Sequence, residues 1–170
     1  MNNQNTVNKL GLKRVAVFCI LTCGDKYLLL ERNNEPHAGK YVPVGGKVDP
    51  YEEPRKAVIR EVSEEAGILL TEVTFCGTMV ETSPINYNWV SYIYKAEIKI
   101  YDLPNCEEGV LHWISKSKLN EFPLPPTDLK IFELAAQNKI FALSATYNGE
   151  LSLISLVNEI DDQNYLPETN

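Results

Sequence analysis

The stretch GKVDPYEEPRKAVIREVSEEAGI, residues 46–68, decides the fold. It leads from a glycine turn through Asp49-Pro50 to a proline-assisted helix start at Pro54, and it stops at Gly67, a residue that tolerates the left-handed backbone of a helix C-cap. Three glutamates, Glu61, Glu64 and Glu65, crowd the last turns. At about 100° of rotation per helical residue their side chains fall within an arc of roughly 100°. Val58, Val62, Ala66 and Leu69 occupy the neighbouring arc and form a stripe that can bury against a sheet. The spacing therefore predicts an acidic helix face lying beside a core.

Like charges at i,i+3 and i,i+4 repel by about a few tenths of a kcal/mol per pair, so a positive group is expected against that face. An ordinary solvated acidic face has the same composition; what sets this one apart is that start signal, cluster and stop agree. The pattern G-x5-E-x7-R-E-U-x-E-E-x-G-U, with U aliphatic, is filled here by Gly46, Glu52, Arg60, Glu61, Val62, Glu64, Glu65, Gly67 and Ile68. In these residues, which lie within 23 of the 170, the chain resembles the Nudix hydrolases.

The resemblance implies a loop-helix-loop catalytic motif on an α/β/α sandwich with a central mixed sheet. It also implies Mg²⁺, with Mn²⁺ as the alternative, held by Glu61 and Glu65 with a contribution from Glu64 and from the main-chain carbonyl of Gly45. Mg²⁺ is a hard ion that prefers carboxylate oxygens and is usually shared with substrate phosphates. Arg60 belongs to the same catalytic motif as an orienter of the glutamates, since a guanidinium makes two directed bonds and cannot accept a proton. Glu52 either supports the loop near the metal or complements the helix dipole as a first-turn residue.

Three further places carry candidates by the same resemblance. Glu108, beside Glu107 in NCEEGVLHW, is read as a further metal ligand or as the base for the attacking water, against the alternative of a polar turn with exposed glutamates. Asp128, after Pro125-Pro126-Thr127, is read as a group that touches the base, against the alternative of a helix N-cap. Arg32 and His37, just before the glycine turn, are read as substrate-binding groups that reach the phosphates, against a surface role. Tyr41, Tyr87 and Trp89 either stack on a base or pack. One departure from the family is Val44 directly before the two glycines, where many relatives have proline; here the proline is Pro43.

The bulk numbers narrow the class. With 170 residues, 44% hydrophobic, the chain is long enough to bury its own core. The net charge of −7 argues against nucleic acid as a partner, because a phosphate backbone requires a basic surface. Cys19, Cys23, Cys76 and Cys106 have no zinc-ligand spacing and read as free thiols in a reducing compartment. No apolar run has the length of a signal peptide core or membrane span, so a cytoplasmic protein without a membrane partner is expected.

Strands are expected at residues 14–22, 26–31, 71–80, 89–100, 110–114, 140–146 and 150–156, with helices at 115–121 and 129–138 after the motif helix, and a loop after Arg32 leads through residues 41–44 to a Gly45-Gly46 turn. Asn148-Gly149 reads as a type I′ turn joining the last hairpin, residues 140–156. The fold class is α/β or α+β: a flexible arm 1–12, one domain 13–157 and a loose polar tail 158–170. The last hairpin either closes the sheet or edge-pairs in a homodimer. The function expected from the resemblance is hydrolysis of a nucleoside diphosphate-linked compound. The leading substrate is a nucleoside triphosphate of the MutT-type branch, with oxidised guanine first, yielding a monophosphate and pyrophosphate. The alternatives are an ADP-ribose or nucleotide-sugar pyrophosphatase, and a nucleotide sensor without turnover.

Overall fold

A computed structural model describes residues 11–99 and 101–166. Most of the expected N-terminal arm, the last residue of the expected strand at 89–100 and the end of the tail therefore lie outside the described residues. The chain folds as β1 (Arg14–Cys23), β2 (Lys26–Arg32), β3 (Tyr41–Lys47), α1 (Pro54–Ala66), β4 (Thr74–Thr82), β5 (Trp89–Glu97), β6 (Gly109–Ser115), a 3-10 helix (Lys116–Glu121), α2 (Asp128–Ala136), β7 (Phe141–Tyr147), β8 (Leu153–Asn158) and β9 (Gln163–Asn164). It is a mixed-sheet α+β fold with few helices, as expected. The strands run in the order β6-β2-β3-β1-β5-β4-β7-β8-β9, parallel at β1–β5 and β4–β7 and antiparallel at the other pairings.

The apolar run of β1 is long because both faces of the sheet are covered. Val17, Cys19 and Leu21 join the core under α1, whereas Ile20 belongs to the core under α2. Ala57, Val58, Val62 and Ala66 of α1 are all fully buried, each valine contributing roughly 1.5–3 kcal/mol of transfer free energy. On the opposite face Ile131, Phe132, Leu134 and Ala135 of α2 fill the second core. Two layers of helix thus enclose the sheet.

Pro54 opens α1 and Gly67 closes it with φ 68°, its N–H donating to Ser63 O. Leu69, expected in the buried stripe, is instead 85% exposed, because the left-handed turn at Gly67 ends the helix before the periodicity can carry Leu69 inward. Gly45 and Gly46 are not a turn: both lie within β3, paired with Phe18 and Val17.

Near the C-terminus three expectations change. Residues 148–152 form a longer loop in place of a two-residue turn, since Asn148 Oδ1 accepts from the N–H groups of Glu150 and Ser152, and Leu151 carries a positive φ of 59°. The last hairpin is correspondingly shifted, with β8 running to Asn158. The start of the tail is not loose. Buried Asn158 accepts from Ala142 N, Gln163–Asn164 pair with β8, and Tyr165 N–H donates to Leu156 O. The outer edge of β8, one of the two places where the hairpin could have paired with a second subunit or closed the sheet, carries β9 at that end. All four cysteines are free, and among the described residues no helix is long and apolar enough to cross a membrane.

Candidate functional site

Pairing of β3 with β1 brings the Gly45–Lys47 segment under the acidic end of α1. Gly45 N–H donates to Glu65 Oε2 at 3.0 Å. A methyl group on Gly46 would stand 2.5 Å from Glu61 Oε2, so only glycine lets that carboxylate lie against the strand. At Gly45 a methyl group would meet Val17 O at 2.1 Å, so this glycine serves the β1–β3 contact itself.

The positive group demanded by the acidic face is first of all Arg60. Its Nε and Nη2 donate to the two oxygens of Glu52 at 2.9 and 2.8 Å, and its Nη1 to Glu61 and Glu64 at 2.8 and 2.9 Å. Nη2 also reaches Lys47 O at 3.0 Å, tying the helix to the end of β3. These carboxylates raise the Arg60 pKa, with Glu52 the largest cause, while Arg60 in turn lowers that of Glu52. Glu52 is thus a partner of Arg60, and its Oε2 also accepts from Asp49 N–H, which organises the loop before the helix.

Among the described residues Glu65 has no such counterion. It is buried, and desolvation, followed after the opposing Gly45 hydrogen bond by the charges of Glu108 and Glu61, pushes its carboxyl up to about 8. Glu61 is raised as well, by burial first. Buried hard oxygens short of positive charge form a donor set that fits a divalent cation. Among the described residues no three acidic, histidine or cysteine side chains are already gathered into a ligand set, because Glu61 and Glu64 turn to Arg60.

A cleft of about 530 Å³ begins at Glu61, Gly45, Gly46 and Lys47 and ends at Asp128. Its lining includes Arg32, His37 and Glu108, so six of the sequence-derived candidates share one cavity. Glu65 reaches it through Gly45, whereas Arg60 and the half-exposed Glu64 stand outside. Arg32 Nη1 donates to Glu108 Oε2 at 3.0 Å and its Nε to Pro36 O at 3.1 Å, which anchors the 33–40 loop beside the acidic end.

The far end was only partly legible. Asp128 is the first residue of α2, after Thr127 at the N-cap position, and neither makes a side-chain cap hydrogen bond. Capping therefore does not explain Asp128. It is 7% exposed, and burial followed by the charge of Glu81 raises its carboxyl to about 8. Around it stand groups that the sequence reading passed over: Glu81, Tyr147 and Ser91. Tyr147 and Tyr87 donate to Glu81 Oε1 at 2.8 and 3.2 Å, and Lys13 Nζ reaches Glu81 O at 2.6 Å. Tyr87 Oη lies 3.0 Å from His37 Nε2. Burial, Lys40 and Arg32 lower the His37 pKa to about 4, so its ring is neutral. The signal for Glu81 was its phase in β4, where it follows Gly77 and Met79 on the buried alternation.

The NUDIX domain family model matches residues 12–135. An uncharacterized Nudix hydrolase, YvcI of Bacillus subtilis, is 29% identical over 81% of this chain and 89% of its own length. The CTP pyrophosphohydrolase of Escherichia coli is 29% identical over 69% of this chain and 87% of its own. The crystal structure of the mutator MutT protein from Bacillus halodurans superimposes with a TM-score of 0.76 at 25% identity, covering 87% of this chain and 99% of that one. With its motif helix, mixed sheet covered by a helix on each face, and acidic cleft, this chain belongs to the Nudix hydrolase family, whose members generally use divalent metal ions and bind small nucleotide-derived substrates.

Proposed function

We propose that the protein is a Mg²⁺-dependent nucleoside triphosphate diphosphatase of the MutT type, releasing a nucleoside monophosphate and pyrophosphate from a free nucleotide in the cytoplasm. The observation that carries this reading is the cleft itself, acidic and metal-suited at one end and enclosed around a buried Asp128 at the other, about the size of one nucleotide. The relative that is a CTP pyrophosphohydrolase supports a triphosphate over a sugar nucleotide.

Glu61, Glu65 and Glu64, with the Gly45 carbonyl and Glu108, would hold the ion. When bound, Mg²⁺ lowers the pKa of a coordinated water and neutralises charge on the phosphate oxygens. Arg60 acts through the glutamates: its hydrogen bonds fix the rotamers of Glu61 and Glu64. Glu108, held by Arg32, is either a further ligand or the base that takes the proton of the attacking water. Arg32 itself can turn from Glu108 to a phosphate with little cost, because that pair is partly exposed. Asp128 reads the base. Ionised, it accepts the N7 hydrogen that 8-oxoguanine carries and guanine lacks, or the N1 and N2 hydrogens of any guanine.

Incubation with Mg²⁺ and a panel of nucleoside triphosphates, 8-oxo-dGTP and ADP-ribose tests the reading. Pyrophosphate from triphosphates is the expected product. AMP from ADP-ribose with no triphosphate turnover would instead identify an ADP-ribose pyrophosphatase, and binding without any turnover a sensor.

A further inference from the structure

The floor of the cleft is laid by the face of the sheet that α2 shares. Side by side in register stand Ala16, Ser91 and Met79, and one row on stand Arg14, Trp89 and Glu81. Glu81 is 5% exposed, yet it lines the cleft. A carboxylate so placed on a sheet floor is costly unless hydrogen bonds or a guest compensate it.

The compensation inside the protein is one-sided. Both tyrosine hydroxyls converge on Oε1, and among the described residues no donor reaches Oε2. Tyr87 has one hydroxyl hydrogen and gives it to Glu81, so the 3.0 Å contact with His37 requires the imidazole to donate from Nε2. That choice leaves His37 Nδ1 a lone pair. Hydrogens therefore run inward, from His37 to Tyr87 to Glu81, and the wall shows acceptors to the cavity. A second, independent sign of a missing guest is Ser91: its residue is 1% exposed, it lines the same cleft, and its Oγ has no hydrogen-bond partner. Buried hydroxyls are rarely left so.

We propose that Glu81 is a specificity-determining residue of the cleft, accepting a hydrogen bond through Oε2 from the exocyclic amine of an amino-bearing nucleobase and thereby disfavouring uracil and thymine. This deepens the reading above and rests on it for the presence of a nucleotide. Guanine, adenine and cytosine each carry an amine with two donor hydrogens. Uracil and thymine present one ring N–H flanked by carbonyls, which would face acceptor atoms. Loss of that hydrogen bond, with the acceptor left buried, makes the discrimination roughly tenfold or more. Tyr87 and Tyr147 are positioning residues that hold the carboxylate for this contact.

The test is equilibrium binding of GMP, AMP, CMP and UMP to the whole protein with Mg²⁺ present, for wild type and Glu81→Gln, alongside triphosphate turnover. Wild type should bind the three amino-bearing monophosphates about tenfold or more tightly than UMP. Glu81→Gln, whose amide offers a donor where the carboxylate accepted, should bring that ratio close to one with UMP affinity equal or improved. A purely structural role would lower all four affinities together and leave the ratio unchanged, which would overturn the inference, as would a wild type that binds the four equally. Should Glu81→Gln not fold, the wild-type ratio decides alone, and Tyr147→Phe should reduce it. Preference for amino-bearing monophosphates without any triphosphate turnover would overturn the proposed function and leave this inference standing; no binding of any of the four would overturn both.

Discussion

The two ends of the cleft solve the same electrostatic problem in opposite ways. At the α1 end Glu52, Glu61 and Glu64 share one guanidinium, that of Arg60, which lowers the pKa of Glu52. At the α2 end Asp128 and Glu81 lie buried without an arginine, held by tyrosine and threonine hydroxyls, and burial raises both carboxyls. The difference teaches how a carboxylate's surroundings assign its task. Carboxylates gathered on one guanidinium at a surface-accessible edge suit a cation and phosphates; carboxyls held by hydroxyl groups in an enclosed pocket suit hydrogen-bonded recognition of an uncharged ring. Glu65 lies between the two cases, buried but beside the guanidinium-bound group.

The largest effect expected from breaking this contrast is at Glu65. Glu65→Gln should cut turnover by about a hundredfold or more, because a neutral amide is a poor ligand, while its carbonyl still accepts Gly45 N–H and thermal melting shows the fold intact. Turnover near the wild-type level would remove the glutamate assignment. Arg60→Lys comes next, with a loss of about ten- to a hundredfold in kcat. An ammonium cannot make the fork to Glu52 while also holding Glu61 and Glu64, and steady-state kinetics would reveal any retained activity.

The two glycines separate stability from chemistry. Gly45→Ala drives a methyl group into Val17 O and should destabilise the sheet by about 1–3 kcal/mol or more in chemical denaturation. Gly46→Ala meets only the far end of the Glu61 side chain, so turnover should fall with little loss of stability.

A smaller effect sharpens the other end. Asp128 has a folded-state pKa raised from 3.8 to about 8, so the folded protein holds a proton that the unfolded chain releases. Its contribution to stability is complete below pH 3.8 and is lost as pH rises through about 8. Asp128→Asn should therefore gain stability relative to wild type between about pH 5 and about pH 8. Parallel denaturation curves at the two pH values would show that the carboxyl is not so buried.

Much of the α1 end was legible because its residues are neighbours in sequence. Helical periodicity alone places Glu61, Glu64 and Glu65 together, and Pro54 and Gly67 mark both ends of α1. Periodicity overreached at Leu69, past the left-handed stop, and turn chemistry failed at Asn148-Gly149, where the asparagine side chain organises a longer loop. Asp128 was legible only as an ambiguity, settled as not a cap by the absence of any cap hydrogen bond. Glu81, Tyr147 and Ser91 were hidden. They come from β4, β7 and β5, and nothing in one strand says which other strands will lie beside it.

By itself the sequence determined this protein's motif helix, the acidic face beside its core and the alternation of its strands, since those follow from 3.6- and 2-residue periods and local backbone limits. Only the tertiary structure decided that Glu65 lies against the Gly45 N–H of β3, that Glu81 faces Asp128's end of the cleft, and that Asn158 to Asn164 extends the sheet. Each of those depends on which distant segments pair and on how much water is left between them once they do.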